Sequence, residues 1–134
     1  MRAMSRSLIA IPVMAAAMLA AAAPALAAPP APNLAAKGKL IFLRCAACHA
    51  VSAKAPKKVG PHLEGVVGRT SGTVPGFSYS TAMKKTPIKW NDAALDKWLA
   101  RPAGMVPGTS MVFAGLPNPA DRSAVIAYLR KPVP

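Results

Sequence analysis

Two cysteines and a histidine lie within a run of five residues and combine thiol and imidazole chemistry at a fixed spacing. Cys45 and Cys48 are the two cysteines of the chain, and His49 follows directly, so the run reads C-x-x-C-H. This spacing is the attachment signature of c-type haem. Each thiol can bond one vinyl group of the same porphyrin, and the neighbouring imidazole can ligate the iron. The motif therefore predicts one covalently bound haem c.

Two other chemistries use a C-x-x-C pair. A thioredoxin-like site would need a βαβ pattern around the motif, and the sequence has no alternating strand pattern. A zinc site would need further ligands, and beyond the motif only His62 offers a Cys or His side chain. A thiol–disulfide oxidoreductase remains an alternative, which a colourless protein with free thiols would support.

A haem iron has a second axial position, and the candidates for it are Met83, Met105, Met111 and His62. Met111 follows the turn-forming residues 107–110, which can aim one side chain, and Met105 is the runner-up. A sulfur ligand fills the sixth position and favours electron transfer over oxygen chemistry. A haem sensor or enzyme with an open sixth position is the alternative.

Residues 1–27 have the pattern of a secretory signal peptide. Two arginines and no acidic residue start it, residues 8–23 are almost wholly apolar, and Ala25-Leu26-Ala27 matches a small-residue cleavage site. Cleavage there leaves residues 28–134, enough for one domain, which we expect in the periplasm. The alternative is that the segment is retained as a membrane tether, although its alanines and prolines make a weak span.

The chain is strongly basic, with 17 Lys and Arg against 4 Asp and Glu and a net charge of +13. Such a charge steers association with anionic surfaces. Export argues against nucleic acid and favours acidic patches on other proteins, with transient contact to a membrane surface as a further prediction. The lysines expected to border an exposed haem edge are Lys39, Lys54, Lys57, Lys58, Lys84 and Lys85.

Three helices are marked by asparagine caps. They follow Asn33, Asn91 and Asn118 and run to about residues 47, 100 and 130, with Pro119 at the first position of the last one. Gly38 lies inside the first helix at a cost of roughly 1 kcal/mol, so it predicts a close crossing with another backbone.

Two long stretches rich in glycine and proline, residues 50–80 and 103–117, separate the helices. Irregular segments of this length count against a compact domain unless they wrap a large ligand. The predicted fold class is therefore all-α, with helices and long loops wrapped around a covalently bound haem.

The motifs together resemble the soluble class I cytochromes c of mitochondrial and α-proteobacterial type. The resemblance extends from about residue 37 to 131 without apparent gaps. The matching pieces are Gly38 with Phe42, Cys45 to His49, Gly60-Pro61-His62-Leu63, Gly68-Arg69-Thr70, Gly76-Phe77-Ser78-Tyr79, Ile88-Lys89-Trp90, the run from Pro107 to Gly115, and Ile126-Ala127-Tyr128-Leu129. The resemblance implies a small cytochrome c fold and a monomeric electron carrier that is not an enzyme.

Site residues also follow from the resemblance. It implies that Met111 supplies the axial sulfur and that the carbonyl of Pro61 accepts a hydrogen bond from His49, which orients the ligand. It also assigns four residues to the surroundings of the haem propionates: Arg69, Tyr79, Trp90 and Thr109.

Family analogy implies a quinol–cytochrome c reductase as electron donor and an oxidase, photosynthetic reaction centre or periplasmic reductase as acceptor. The chain departs from the family at Ala103, Gly104 and Ser110, where mitochondrial members usually carry lysines near the exposed haem edge. Met83 and Trp98 replace a common asparagine and tyrosine near the distal pocket. The first departures alter the docking geometry, and the second make the pocket more apolar.

Overall fold

The computed structural model describes residues 33–132. Within them the chain forms α1 (Leu34–Ala46), α2 (Thr81–Lys85), α3 (Asp92–Ala100), α4 (Pro102–Met105) and α5 (Pro119–Arg130). This part of the chain contains no β-strand, which confirms the predicted all-α fold class. None of the described helices is long and apolar enough to cross a membrane. The predicted signal peptide, residues 1–27, lies outside the described residues.

The three longer helices begin where the asparagines predict. Side-chain oxygens of Asn33, Asn91 and Asn118 accept hydrogen bonds from N–H groups of the first turn at 3.0, 2.8 and 2.9 Å. These bonds satisfy donors that the start of a helix leaves unpaired. Pro119 stands at the first position of α5, where no N–H is needed. The predicted helix starts are confirmed.

Two short helices are absent from the sequence prediction. α2 follows Ser80, whose hydroxyl oxygen accepts a hydrogen bond from the N–H of Met83 at 3.1 Å. α4 begins at Pro102, which sequence reasoning takes as the stop of α3. The proline ends one helix and also starts the next, because the first helical position needs no N–H. The prediction that residues 103–117 are irregular is therefore wrong for residues 103–105, which belong to α4.

α1 and α5 cross with their backbones in contact. A Cβ placed on Gly38 would lie 1.9 Å from the carbonyl oxygen of Ala124 and 2.9 Å from the Cβ of Tyr128. One turn further along α1, the ring of Phe42 packs on that of Tyr128 with centroids 5.3 Å apart. The prediction that Gly38 marks a close crossing is confirmed. The crossing fixes α1, and with it the cysteine motif at the end of that helix.

Hydrogen bonds close the long segment between α1 and α3 into a loop. Thr70 and Lys89 form an isolated antiparallel bridge. Beside it the buried hydroxyl of Ser71 donates to the carbonyl of Thr86 at 2.9 Å and accepts from the N–H of Ile88 at 2.8 Å. These bonds join the chain near Thr70 to the chain near Lys89, so the residues between them form a closed loop.

Candidate haem site

The end of α1 brings the three residues of the C-x-x-C-H motif together. The N–H groups of Cys48 and His49 donate to the carbonyl oxygen of Cys45 at 3.0 and 2.9 Å, so the chain turns tightly after the helix. All three residues line a cavity of about 280 Å³. Burial raises the pKa of the Cys45 thiol, whereas Cys48 is exposed. Two thiols and one imidazole thus face the same space.

His49 is held through its ring nitrogen Nδ1, which lies 2.7 Å from the carbonyl oxygen of Pro61. A carbonyl only accepts, so Nδ1 carries the proton and Nε2 keeps its lone pair. A Cβ on Gly60 would lie 2.5 Å from Cε1 of His49, so the glycine packs directly against the ring. Burial lowers the pKa of His49 more than the Pro61 carbonyl raises it, and Lys58 lowers it further. A neutral imidazole with a free nitrogen is the form that ligates metal ions.

The structure separates the four candidates for the second axial ligand. Met111 and Met83 line the same cavity as His49. Met105 is not among the lining residues and packs against the hydrophobic core. His62 lines a second cavity of about 310 Å³. Two thioether sulfurs therefore share the space with the imidazole, one on a loop and one buried in α2.

The loop that carries Met111 is fixed at both ends. Before it, the N–H of Thr109 donates to the carbonyl of Val106 at 3.1 Å, and the N–H of Met111 donates to Oγ1 of Thr109 at 3.3 Å. After it, the N–H of Leu116 donates to the carbonyl of Leu99 at 2.7 Å. The two anchors hold the loop across the cavity without any regular secondary structure.

A partly buried guanidinium also lines the cavity. Arg69 donates to the carbonyl oxygens of Glu64 and His62 at 2.7 and 3.0 Å. Within residues 33–132 no carboxylate forms an ion pair with Arg69, and burial lowers its pKa. A buried cation without a carboxylate fits a ligand that supplies its own, as the propionates of haem would.

The remaining residues that the resemblance places near the propionates line the same cavity. They are Tyr79, Trp90 and Thr109. The Tyr79 hydroxyl accepts a hydrogen bond from the N–H of Val74 at 3.2 Å, and Trp90 packs on Trp98 with ring centroids 5.4 Å apart. Thiols, a neutral imidazole, a thioether, a cation and aromatic walls therefore converge on one cavity. This set of groups suits haem c.

One contact of the site lies beyond sequence reasoning. The guanidinium carbon of Arg44 lies 5.8 Å from the centroid of the Phe113 ring, a distance typical of a cation–π contact. Arg44 directly precedes Cys45, and Phe113 lies two residues after Met111, so the contact joins the two halves of the site. The residues are far apart in the chain, and no local pattern pairs them. Among the residues that line the cavity, the basic ones are Arg44 and Arg69, and none is a lysine.

Comparison with known families decides the assignment. The family described as Cytochrome c matches residues 35–131. The chain belongs to the cytochrome c family. Cytochrome c2 of Rhodomicrobium vannielii is 50% identical over 93 residues, which cover 69% of this chain and 74% of that protein. Cytochrome c2 iso-2 of Magnetospirillum fulvum is 52% identical over 89 residues, covering 66% of this chain and 92% of that protein.

A solved structure is similar as well. Cytochrome cH from Methylobacterium extorquens superposes with a TM-score of 0.68 at 43% identity, covering 72% of this chain and 96% of that one. The predicted small cytochrome c fold is confirmed. Family membership also confirms the predicted cofactor, one covalently bound haem c, and the general activity, electron transport. The thiol–disulfide alternative is wrong.

Proposed function

We propose that this cytochrome c is a periplasmic carrier of single electrons, with haem c bonded to Cys45 and Cys48 and ligated by His49 and Met111. The observation that carries the proposal is the convergence of these four side chains on one cavity. When bound, the haem iron takes up and releases one electron by changing between its ferric and ferrous states. The residues around it hold the cofactor, keep water away and limit movement.

Pro61 and Gly60 keep the proximal ligand in one place. The 2.7 Å bond from Nδ1 of His49 to the Pro61 carbonyl selects the tautomer in which Nε2 is free to ligate. Gly60 packs so closely against the ring that any side chain at this position would clash with it. The same ligand geometry therefore serves both oxidation states, which keeps the rearrangement on electron transfer small.

Met111 is the preferred distal ligand. Its loop is anchored on both sides by backbone hydrogen bonds, whereas Met83 is a buried member of the hydrophobic core, 8% exposed. A thioether ligand raises the reduction potential and occupies the sixth position. Occupation of that position favours a carrier over an oxygen-activating enzyme or a gas sensor, so we propose that the protein has no catalytic residues.

Arg69, Tyr79, Trp90 and Thr109 would bind the propionates. Arg69 supplies the positive charge and has no carboxylate partner within residues 33–132. The buried indole of Trp90 and its neighbour Trp98 form an apolar wall beside it. Pairing the propionates inside the protein removes the cost of burying them unpaired.

The proposed location of the protein rests on residues 1–27, and its proposed partners follow from its charge. We propose that this segment is cleaved as a signal peptide and that residues 28–134 act as a monomer in the periplasm. Without Arg2 and Arg6 of this segment, 15 Lys and Arg remain against 4 Asp and Glu, and the resulting net charge of +11 supports docking onto acidic surfaces of a quinol–cytochrome c reductase as donor and of an oxidase, reaction centre or periplasmic reductase as acceptor. The predicted border of lysines includes Lys58, whose Nζ donates to the carbonyl of Ala46 near the motif.

Two measurements on the purified haem protein test the proposal. A redox titration followed by visible absorption should fit one electron per haem, and reduction by quinol–cytochrome c reductase should slow as ionic strength rises, because salt screens charge steering. A reduction rate that does not depend on ionic strength would contradict the proposal that charge steers docking. A ferrous protein that binds carbon monoxide at neutral pH would reveal an open sixth position and contradict the carrier function.

A further inference from the structure

The segment between Met111 and Leu116 has no hydrogen bonds along its middle. Hydrogen bonds fix its two ends, at the N–H groups of Met111 and Leu116. Within residues 33–132 no hydrogen bond involves residues 112–115. Side-chain contacts must therefore hold this part of the loop in place, because its backbone groups contribute nothing.

Side chains along this segment alternate between the protein and the solvent. Met111 and Phe113 are partly buried and pack against the hydrophobic core, whereas Val112 and Ala114 are exposed. This alternation is typical of an extended chain, in which side chains two residues apart lie on the same face. Met111 and Phe113 both line the cavity of the haem site. A rotation of the segment that removes the Phe113 ring from the cavity therefore also removes the sulfur of Met111.

A single charged group contacts this ring among the described residues. The guanidinium carbon of Arg44 lies 5.8 Å from the centroid of the Phe113 ring, within the range of a cation–π contact. Within residues 33–132 the Arg44 guanidinium forms no ion pair and no hydrogen bond. The ring is therefore the partner that this part of the chain offers to the charge.

Arg44 lies on a part of the chain that is held firmly. It is in the last turn of α1, which crosses α5 so closely that a Cβ on Gly38 would clash with the carbonyl of Ala124. The helix cannot shift towards α5, and its other end is fixed by the Asn33 cap. The contact between Arg44 and Phe113 thus restrains the mobile partner of the pair, which is the loop.

We propose that Arg44 is a positioning residue that, through its cation–π contact with Phe113, keeps the segment after Met111 closed over the cavity of the haem site. The proposal rests on the electron-carrier function, in which Met111 occupies the sixth position of the iron. Arg44 acts on Met111 only through the Phe113 ring. Its effect is to make displacement of Met111 by a small external ligand less favourable.

The size of the effect follows from the contact that opening breaks. An external ligand must displace the sulfur of Met111, and the Phe113 ring moves with it because the two side chains share one face. The opened state therefore lacks the contact with Arg44, and the equilibrium between the two states shifts by the free energy of that contact. For an exposed cation such as Arg44 this corresponds to about a two- to fivefold change in the equilibrium constant.

The test measures binding of imidazole to the ferric haem protein, followed by loss of the sulfur-to-iron charge-transfer band. At about pH 8 imidazole is mostly neutral, so a change in protein charge does not itself attract or repel it. Arg44→Gln should bind imidazole about threefold more tightly than wild type. Arg44→Lys keeps a cation beside the ring and should stay within about 1.5-fold of the wild-type affinity.

Two further variants separate the contact from a general effect of charge. Lys97→Gln removes an exposed cation of α3 that does not line the cavity, and it should bind imidazole as wild type does. In a protein that carries Phe113→Leu, the additional change Arg44→Gln should leave the affinity unaltered, because the ring it contacts is gone. Thermal unfolding of each haem-loaded variant shows whether a change in affinity reflects the loop or the stability of the whole domain.

Equal imidazole affinities of Arg44→Gln and wild type would overturn the positioning role. A threefold effect that persists in the Phe113→Leu background, or that Lys97→Gln reproduces, would overturn it as well, because the effect would then come from charge alone. A wild-type ferric protein without the charge-transfer band would refute ligation by Met111, and the role of Arg44 with it. A band that is present in wild type, with an affinity that does not respond to Arg44→Gln, refutes the role of Arg44 and leaves the carrier function standing.

Discussion

Replacement of Gly38 by alanine should destabilise the protein, although alanine is the better helix former. In an exposed helix the change would stabilise by about 1 kcal/mol. Here the new Cβ would lie 1.9 Å from the carbonyl oxygen of Ala124, where ordinary contact needs about 3.4 Å. The backbones of α1 and α5 must therefore separate by roughly 1.5 Å, and the clashing atom belongs to the main chain and cannot rotate away.

The size of the effect follows from these opposing contributions. Overpacking in a close core contact costs typically about 1–3 kcal/mol and occasionally more, and a backbone clash belongs at the upper end. After subtraction of the roughly 1 kcal/mol by which alanine is the better helix former, about 2 kcal/mol of destabilisation remains. For a domain of this size that lowers the midpoint of thermal unfolding by roughly 10 °C. Differential scanning calorimetry of the haem-loaded protein measures the shift directly.

A matched control is another glycine within a helix. Gly104 in α4 is exposed, and the three atoms nearest to an added Cβ all belong to the side chain of Arg101, which is exposed and can move. Gly104→Ala should leave the unfolding midpoint unchanged or raise it slightly. If Gly38→Ala unfolds at the wild-type temperature, the helices are not in backbone contact, and the reasoning that places the motif is wrong.

Three further substitutions test single contacts. Gly60→Ala forces a Cβ to 2.5 Å from the ring of His49, so it should lower both the midpoint of thermal unfolding and the yield of haem-loaded protein. An unchanged yield would contradict the close packing of Gly60 on the His49 ring. Gly115→Ala places a Cβ 2.0 Å from the carbonyl oxygen of Ala100, the last residue of α3, at a φ of +111°. Because this disturbs the end of the loop that carries Met111, it should weaken the Met111 charge-transfer band. Full retention of the band would contradict the role of this loop end in holding Met111. Arg122→Ala removes the hydrogen bonds to the carbonyls of Leu116 and Pro117 and the ion pair with Asp96. Urea unfolding should show that the free energy of unfolding falls by about 1–3 kcal/mol. A fall of less than about 0.5 kcal/mol would show that these contacts contribute little to stability.

Local signals in the sequence predict the helix starts because a cap is a short-range interaction. Asn33, Asn91 and Asn118 each bond to an N–H two or three residues away, so the whole interaction is visible in a few letters. The short helices α2 and α4 are too brief for a periodic pattern. Pro102 is ambiguous from sequence, since a proline both ends a helix and suits the first position of another.

The residues of the site likewise divide into those that a local sequence motif predicts and those that only the structure places. The C-x-x-C-H motif fixes two thiols and an imidazole within one turn of chain, so its chemistry is readable directly. The choice among the methionines depends on how a loop folds back over the cavity, and only the structure removes Met105 from the lining. The contact between Arg44 and Phe113 involves residues brought together by tertiary packing, which leaves no spacing pattern in the chain.

Visible absorption spectroscopy of the purified ferric protein tests the central claim most directly. Attachment through Cys45 and Cys48 with ligation by His49 and Met111 predicts a low-spin haem c spectrum with the weak sulfur-to-iron charge-transfer band. The band should vanish in Met111→Ala and persist in Met83→Leu. A haem lost on acid extraction, or a band that survives without Met111, would contradict the ligation on which the account rests.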